Sequence, residues 1–447
     1  MKSLRNTLGT ALSVFSFLTL SAVSAPTSLG QQPPSSLDRD RGNVMLRVIK
    51  DDLKKNYYDP AFHGLDIDER FKAAQAKIKE AASLGQIFGI IAQSLIDLED
   101  SHTFFVPPGR SSRTEYGWQL QAIGDKCYVI AVKPGSDADA KGLKPGDEID
   151  TIDGRKPNRE NMWKVNYLYR ALRPQPGMRL VVIKPDGQQE QIDVMAKVQQ
   201  GKRVINLTAE GGGADFWDLI RESENEDRLH RHRYVEVSDE LMIWKMPAFD
   251  LENSKVDDMM DKARKHKALV LDLRANSGGY EDTLLRMLGN LFDHDVNVGE
   301  LKRRKETKPL KAKTRGDNIF KGQLTILIDS QSGSAAELLA RVVQLEKRGT
   351  VIGDRSAGAV MRAKGYAHEL GADVIVPYGV SITDADIIMP DGKSLEHVGV
   401  TPDELKLPSP SDLAAKRDPV LAYAASLHKV TLSPEKAGAL FPVEWQK

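Results

Sequence analysis

Leu324-Thr325-Ile326-Leu327-Ile328-Asp329-Ser330-Gln331-Ser332-Gly333-Ser334-Ala335-Ala336-Glu337 decides how this chain is read. Leu324 to Ile328 is a short apolar run of the kind that forms a buried strand. Ser330 to Gly333 is a cluster of turn formers. From Ser334 the pattern becomes helical, and serine followed three residues later by glutamate is a capping-box signature. A buried strand that turns sharply into a helix is where α/β enzymes expose a nucleophile. The helix start supplies free N–H groups and a positive dipole end for developing negative charge. A serine at a helix start is also a common cap, so the surrounding chain has to decide between the two roles for Ser334.

Working outward, Ala268 to Arg274 reads as a second buried strand that enters Ala275-Asn276-Ser277-Gly278-Gly279, with a helix from Glu281. Adjacent glycines after a strand let backbone N–H groups approach a ligand. Further strands are expected at 234–237, 241–246, 350–353 and 374–376, with helices near 254–265 and 334–346. This alternation predicts an α/β core over 234–410 with a largely parallel sheet. Lys302 to Arg315, dense in basic residues, reads as a solvated loop. Met389 to Asp403 reads as turn, strand and turn, with Glu396 in the middle. A tail over 411–447 is expected to carry one helix at 411–427.

Upstream, residues 1–25 combine Lys2 and Arg5, an apolar stretch from Leu8 to Leu20, and small residues up to Ala25, the pattern of a secretory signal. Residues 26–41 read as a linker. Helical spacing then defines a unit over 42–112 that ends in Ser101-His102-Thr103. Residues 113–198 switch to short strands and glycine turns, including Lys133-Pro134-Gly135, Lys144-Pro145-Gly146-Asp147 and Ile152-Asp153-Gly154. This run resembles a PDZ domain of the bacterial protease type, a module that adds an extended peptide to a sheet edge. The resemblance puts the peptide carboxylate at Tyr116, Gly117, Trp118, Gln119 and Leu120. Residues 199–233 read as a linker, with His230 and His232 solvated.

Whole-chain properties narrow the functional classes. The 447 residues carry 63 basic and 63 acidic side chains, so net charge argues for neither nucleic acid nor an anionic membrane. The single cysteine, Cys127, allows no disulfide framework or thiolate metal cluster. No later run has the roughly 20 apolar residues of a membrane span.

Taken in order, the helical unit, the PDZ-like run, Leu273-Arg274-x-Asn276-x-Gly278-Gly279, Ser334-Ala335-Ala336-Glu337 and Leu395-Glu396-x-x-Gly399-Val400-x-Pro402-Asp403 resemble the S41 peptidases. These are the carboxyl-terminal processing proteases and the tricorn core protease. The resemblance spans about residues 42–405 and implies a crotonase-like α/β core with serine endopeptidase activity. It implies Ser334 as nucleophile, with oxyanion donors from Gly278 or Gly279 and from Ala335. In the processing branch a lysine about 25 residues after the serine is the base. Ala359 stands there, and Lys364 is five residues further on. The tricorn-like branch uses a His from the Ser-His-Thr turn and a downstream Glu, which implies Ser334, His102 and Glu396, with Ser101 as a relay. No metal or cofactor is implied. The expected function is an extracytoplasmic, periplasmic or secreted, serine endopeptidase acting on proteins or peptides, with capture by their C-termini and homo-oligomer formation both open. The alternative is a catalytically inactive peptide-binding protein of the same fold.

Overall fold

The computed structural model describes residues 34–109, 112–200, 231–371 and 375–445. The expected signal segment at 1–25, His230 and most of the linker expected at 199–233 lie outside the described residues. Helix α1 (Ser36–Asn56) begins inside the stretch expected to be linker at 26–41. Its first turn is charged and shows no apolar period. What starts it is a reciprocal cap: Asp38 N donates to Ser35 Oγ and Ser35 N to Asp38 Oδ2, at 3.1 and 3.0 Å. Helices α2 (Ile67–Lys79) and α3 (Leu84–Ile96) pack against it and bury Ile49, Leu53, Ile78, Ile87, Ile91 and Leu95. Strand β1 (Phe104–Val106) then leaves this helical unit.

Strand β2 (Ser112–Glu115) opens the next section. It is followed by β3 (Trp118–Ile123), β4 (Lys126–Val132), the short helix α4 (Asp137–Ala140), β5 (Glu148–Ile152), helix α5 (Met162–Tyr167), β6 (Gly177–Ile183) and β7 (Gln189–Met195). Strands β3 to β7 form one antiparallel sheet in sequence order, with β3 at an edge. Strand β8 (Lys197–Gln200) pairs back with β2, so the section begins and ends at one place.

The core follows with β9 (Arg233–Ser238), β10 (Leu241–Lys245), α6 (Asn253–Ala263), β11 (Ala268–Asp272) and α7 (Glu281–Gly289). A hairpin of β12 (Val296–Arg303) and β13 (Thr307–Ala312) precedes β14 (Gln323–Ile328), α8 (Ala335–Leu345) and β15 (Thr350–Gly353). Strands β16 (Met361–Leu370), β17 (Val376–Ile388) and β18 (Glu404–Leu405) complete it. One sheet runs β18-β15-β14-β11-β10-β9, parallel except for β9. Every residue of β11 is buried, as expected for a parallel strand covered on both faces. The mixed α/β architecture with a largely parallel sheet therefore matches the sequence reading.

A second, antiparallel sheet was not expected. It runs β1-β17-β12-β13, with β16 also on β17. Lys302 to Arg315 is thus largely a strand hairpin instead of a solvated loop. Leu301, Leu310 and Ala312 are buried on its inner face while its lysines line the other. The strand expected within Met389–Asp403 is absent. That stretch is turns joined to β17 by a single bridge from Ile388 to Ser394. The strand expected at 374–376 is instead the start of β17, and residue 374 lies outside the described residues. In the tail, the single helix expected at 411–427 is two, α9 (Pro410–Ala414) and α10 (Pro419–Leu427), followed by α11 (Pro434–Leu440). Lys416 at φ +55° and Pro419 break the run.

Candidate active site

Ser334 is reached at the end of β14 through a turn that hydrogen-bonds to itself. Asp329 N donates to Ser332 Oγ, and Ser332 Oγ donates to the Leu273 carbonyl, at 2.9 and 2.8 Å. The turn delivers Ser334 at φ 54°, ψ −118°, which a non-glycine residue holds only when its surroundings over-determine it. They do so here. Ser334 N donates to the Ala359 carbonyl and to Glu337 Oε2, at 2.8 and 3.0 Å. Ser334 and Glu337 form the capping box that the sequence announces, with Glu337 N donating to the Ser334 carbonyl at 2.9 Å, so the same residue starts the helix and lines the cavity. Gly278 is pressed against it: a Cβ at that position, φ +98°, would lie 2.5 Å from Ser334 Cβ.

Glu337 holds the floor of the turn. Its fully buried carboxylate accepts from Ser356 Oγ, Gly358 N and Ala359 N at 2.6, 2.7 and 2.9 Å, besides Ser334 N. Burial pushes this carboxyl up to about 7, against four hydrogen bonds that favour its ionised form.

His102 lies in the turn between α3 and β1. Buried Asp100 fixes that turn by accepting from His102 N at 2.8 Å and from Thr383 Oγ1 at 2.7 Å. Ser101 bridges to the far end of the chain. Its Oγ lies 2.7 Å from His102 Nδ1 and donates to Glu396 Oε2 at 2.9 Å. Glu396 also accepts from Ser101 N and Val360 N, at 2.9 and 2.7 Å. With its own hydrogen committed to Glu396, Ser101 Oγ accepts a hydrogen bond from His102 Nδ1–H, the tautomer that leaves Nε2 unprotonated. Burial pulls the imidazole below its ordinary value, and Asp100 opposes this. Burial raises Glu396, while its hydrogen bonds from Ser101 and Val360 pull the other way.

A cavity of about 1140 Å³ is lined by Ser101, His102, Gly279, Ser334, Ala335 and Ala359, among others. Ser334 and His102 share it without a hydrogen bond between their side chains. Of the two glycines that the resemblance left as alternatives, Gly278 donates its N–H to Asn276 Oδ1 at 2.8 Å. The N–H groups of Gly279 and Ala335 have no partner among the described residues, and both residues line the cavity. Lys364 lies outside it. Its side chain is 55% exposed and 3.7 Å from Asp384, while its neighbours Arg362 and Ala363 line the cavity. Among the described residues no cluster of metal-ligating side chains occurs.

The stretch Tyr116–Leu120 opens edge strand β3 and faces α5. Tyr116, Trp118 and Leu120 surround a cavity of about 30 Å³ with Val165, Tyr169 and Met178. The outer edge of β3 is docked on the turn that precedes Ser334. Ser330 Oγ donates to the Ala122 carbonyl, Gln331 Nε2 to the Leu120 carbonyl at 3.4 Å, and Gln121 Nε2 to Asp329 Oδ2 at 2.7 Å. Nothing in the residue pattern announced these contacts, because they join segments some 210 residues apart. His232, expected to be solvated, donates from Nε2 to Asp250 Oδ1 (2.8 Å) and accepts at Nδ1 from Trp244 Nε1 (3.3 Å).

The model of Peptidase family S41 matches residues 242–405. A carboxy-terminal-processing protease of Bartonella bacilliformis is 32% identical over 385 residues, covering 80% of this chain and 78% of the relative. The chain belongs to peptidase family S41. A probable CtpA-like serine protease of Staphylococcus haemolyticus is 23% identical over 371 residues, 81% of this chain and 66% of that one. Among solved structures, mature CPAF superposes with a TM-score of 0.62 at 14% identity, over 85% of this chain and 95% of CPAF. The photosystem II D1 C-terminal processing protease gives 0.51 at 18% identity, over 90% and 99%. These likenesses carry the fold. By family this S41 chain is a serine-type peptidase, and no helix among its described residues is long and apolar enough to cross a membrane.

Proposed function

We propose that the protein is a serine endopeptidase that cleaves protein or peptide substrates through an acyl-enzyme on Ser334. The observation that carries this reading is the bridge from Glu396 through Ser101 to His102, at the wall of the cavity that holds Ser334. His102 Nε2 takes the proton of Ser334 Oγ as the oxygen attacks the scissile carbonyl. Ser101 and Glu396 hold the tautomer and stabilise the imidazolium. The N–H groups of Gly279 and Ala335 receive the oxyanion. His102 then returns the proton to the leaving amine, and water releases the acyl group. Leu284, Leu338, Met361 and Ile387 give the cavity an apolar wall that suits an apolar substrate side chain.

The 113–198 section is read as a PDZ-like peptide-capture module, and the mature enzyme as extracytoplasmic after loss of residues 1–25. A peptide adding to the β3 edge competes with Ser330 and Gln331 for the Leu120 and Ala122 carbonyls. Capture there would pull on the turn that carries Ser334. A second reading, a catalytically silent peptide-binding protein, draws on the missing Ser334–His102 hydrogen bond. Such bonds often tighten only with substrate bound.

Labelling by a fluorophosphonate probe separates these readings. Labelling of the wild type, lost in Ser334→Ala and His102→Ala and kept in Lys364→Ala, is expected. Loss in Lys364→Ala with retention in His102→Ala would replace His102 by the lysine. No labelling with or without an unfolded substrate protein would leave the silent binder.

A further inference from the structure

The loop that presents Gly279 is held from the far end of the chain. Asp272 ends β11 with its side chain 1% exposed and accepts from four donors, the first being Arg274 N at 3.0 Å. Arg274 returns to it through Nε and Nη2, at 2.9 and 2.8 Å, and Lys245 Nζ approaches Oδ1 at 3.2 Å. The same Lys245 Nζ donates to the Arg274 carbonyl at 2.5 Å, just before Ala275 enters the left-handed region at φ +57°. Burial works against the Asp272 charge, and Arg274 and Lys245 outweigh it to hold the carboxyl below the carboxylate range. The free edge of the guanidinium is then closed by Asp418. Arg274 Nη1 and Nη2 donate to its two oxygens at 3.0 and 2.7 Å, a bidentate fork.

Asp418 is the N-cap of α10, accepting from Leu421 N at 2.9 Å, and its own N–H donates to the Pro434 carbonyl at the start of α11. The carboxylate is therefore fixed by two helices of the C-terminal tail. Downstream of Arg274, Ala275 N donates to Asp329 Oδ1 at 2.9 Å, and Gly333 N donates to the Asn276 carbonyl at 2.8 Å. The loop is thus pinned on one side by the tail and on the other by the Ser334 turn.

We propose that Asp418 is a positioning residue for the oxyanion site, acting through Arg274 to set where Gly279 N–H points relative to Ala335 N–H. The proposal rests on the serine peptidase reading and assigns a catalytic consequence to a C-terminal helix outside the 242–405 region that the family model covers. It touches no substrate, so its effect is on the transition state through the donors it aims.

The test uses the full chain with Asp418→Asn, which keeps a good N-cap and removes the charge, and Asp418→Ser, which caps but is too short to reach Arg274. Displacing a donor should cost less than the 100- to 1000-fold seen when one is deleted, so kcat is expected to fall about tenfold in both with KM unchanged. Affinity for a peptide boronic acid, whose tetrahedral adduct places an oxygen in the same site, should fall by the same factor. Affinity of Ser334→Ala for the uncleaved peptide should not change when Asp418→Asn is added, and Asp418→Glu should restore part of kcat. Unchanged kcat and boronate affinity overturn the proposal. So does a parallel loss of boronate and ground-state peptide binding, which would mean a general structural role. A wild type that no fluorophosphonate labels overturns the peptidase reading itself, and the proposal falls with it.

Discussion

At the residue scale, the site depends on a few side chains that have no slack. Gly278 is the clearest case: its φ of +98° and the 2.5 Å approach to Ser334 leave no room for a methyl group. Gly278→Ala is expected to lower kcat/KM at least 100-fold, comparable to losing an oxyanion donor, with the chain still folded by circular dichroism. On the proposed reading His102 sets the pH dependence. Burial lowers its pKa below the ordinary value of about 6.5, so the neutral base survives to lower pH than a free histidine would. The acid limb of kcat/KM should therefore have its midpoint below 6.5, measured with a substrate that does not itself titrate there. A midpoint above that value would show that another group, not His102, must be deprotonated.

At the element scale, legibility followed the number of buried faces. Strands β11 and β14 are apolar at nearly every position because both faces are covered, and both stood out in the sequence. Strands β12, β13 and β16 bury one face at most and carry lysine or arginine on the other, so their charge hid them. The residues of the candidate site could be singled out because each lies in a short motif: Ser334 before Glu337, His102 after Ser101, Glu396 after Leu395. What could not be read was which glycine amide is free, since that depends on Asn276 folding back, and which side of β16 carries Lys364. The loop between β15 and β16 depends on Glu337, whose carboxylate joins it to α8. Above about pH 8, where the carboxyl is ionised, Glu337→Gln puts an amide N–H against donors it cannot accept from, and is expected to destabilise by about 2–4 kcal/mol in urea unfolding. Since Glu337 is raised to about 7 from an ordinary 4.5, its contribution to stability is full below pH 4.5 and is lost as pH rises through 7. The Glu337→Gln variant should lack that slope.

At the scale of the whole molecule, one nearly buried ion pair latches the 113–198 section to the core. Arg159, 8% exposed, donates to Asp354 Oδ2 and the Arg355 carbonyl at 2.5 and 2.7 Å, and also to the Gly124 carbonyl. Asp354 in turn accepts from Gly124 N at 2.9 Å. Arg159→Ala leaves Asp354 largely uncompensated, and a loss of about 3 kcal/mol is expected by calorimetry. Peptide affinity at β3 should rise if the docked edge and a ligand compete.

The bridge from Ser101 to Glu396 also has a consequence in time. It joins residues 295 positions apart, so a nascent chain that already contains His102 and Ser334 still lacks the carboxylate that, on the proposed reading, orients the base. Ribosomes emit sequence from one end, and the last parts needed to aim the chemistry arrive late. On the proposed reading, the base is aimed only once Glu396 has been made and has folded back onto Ser101.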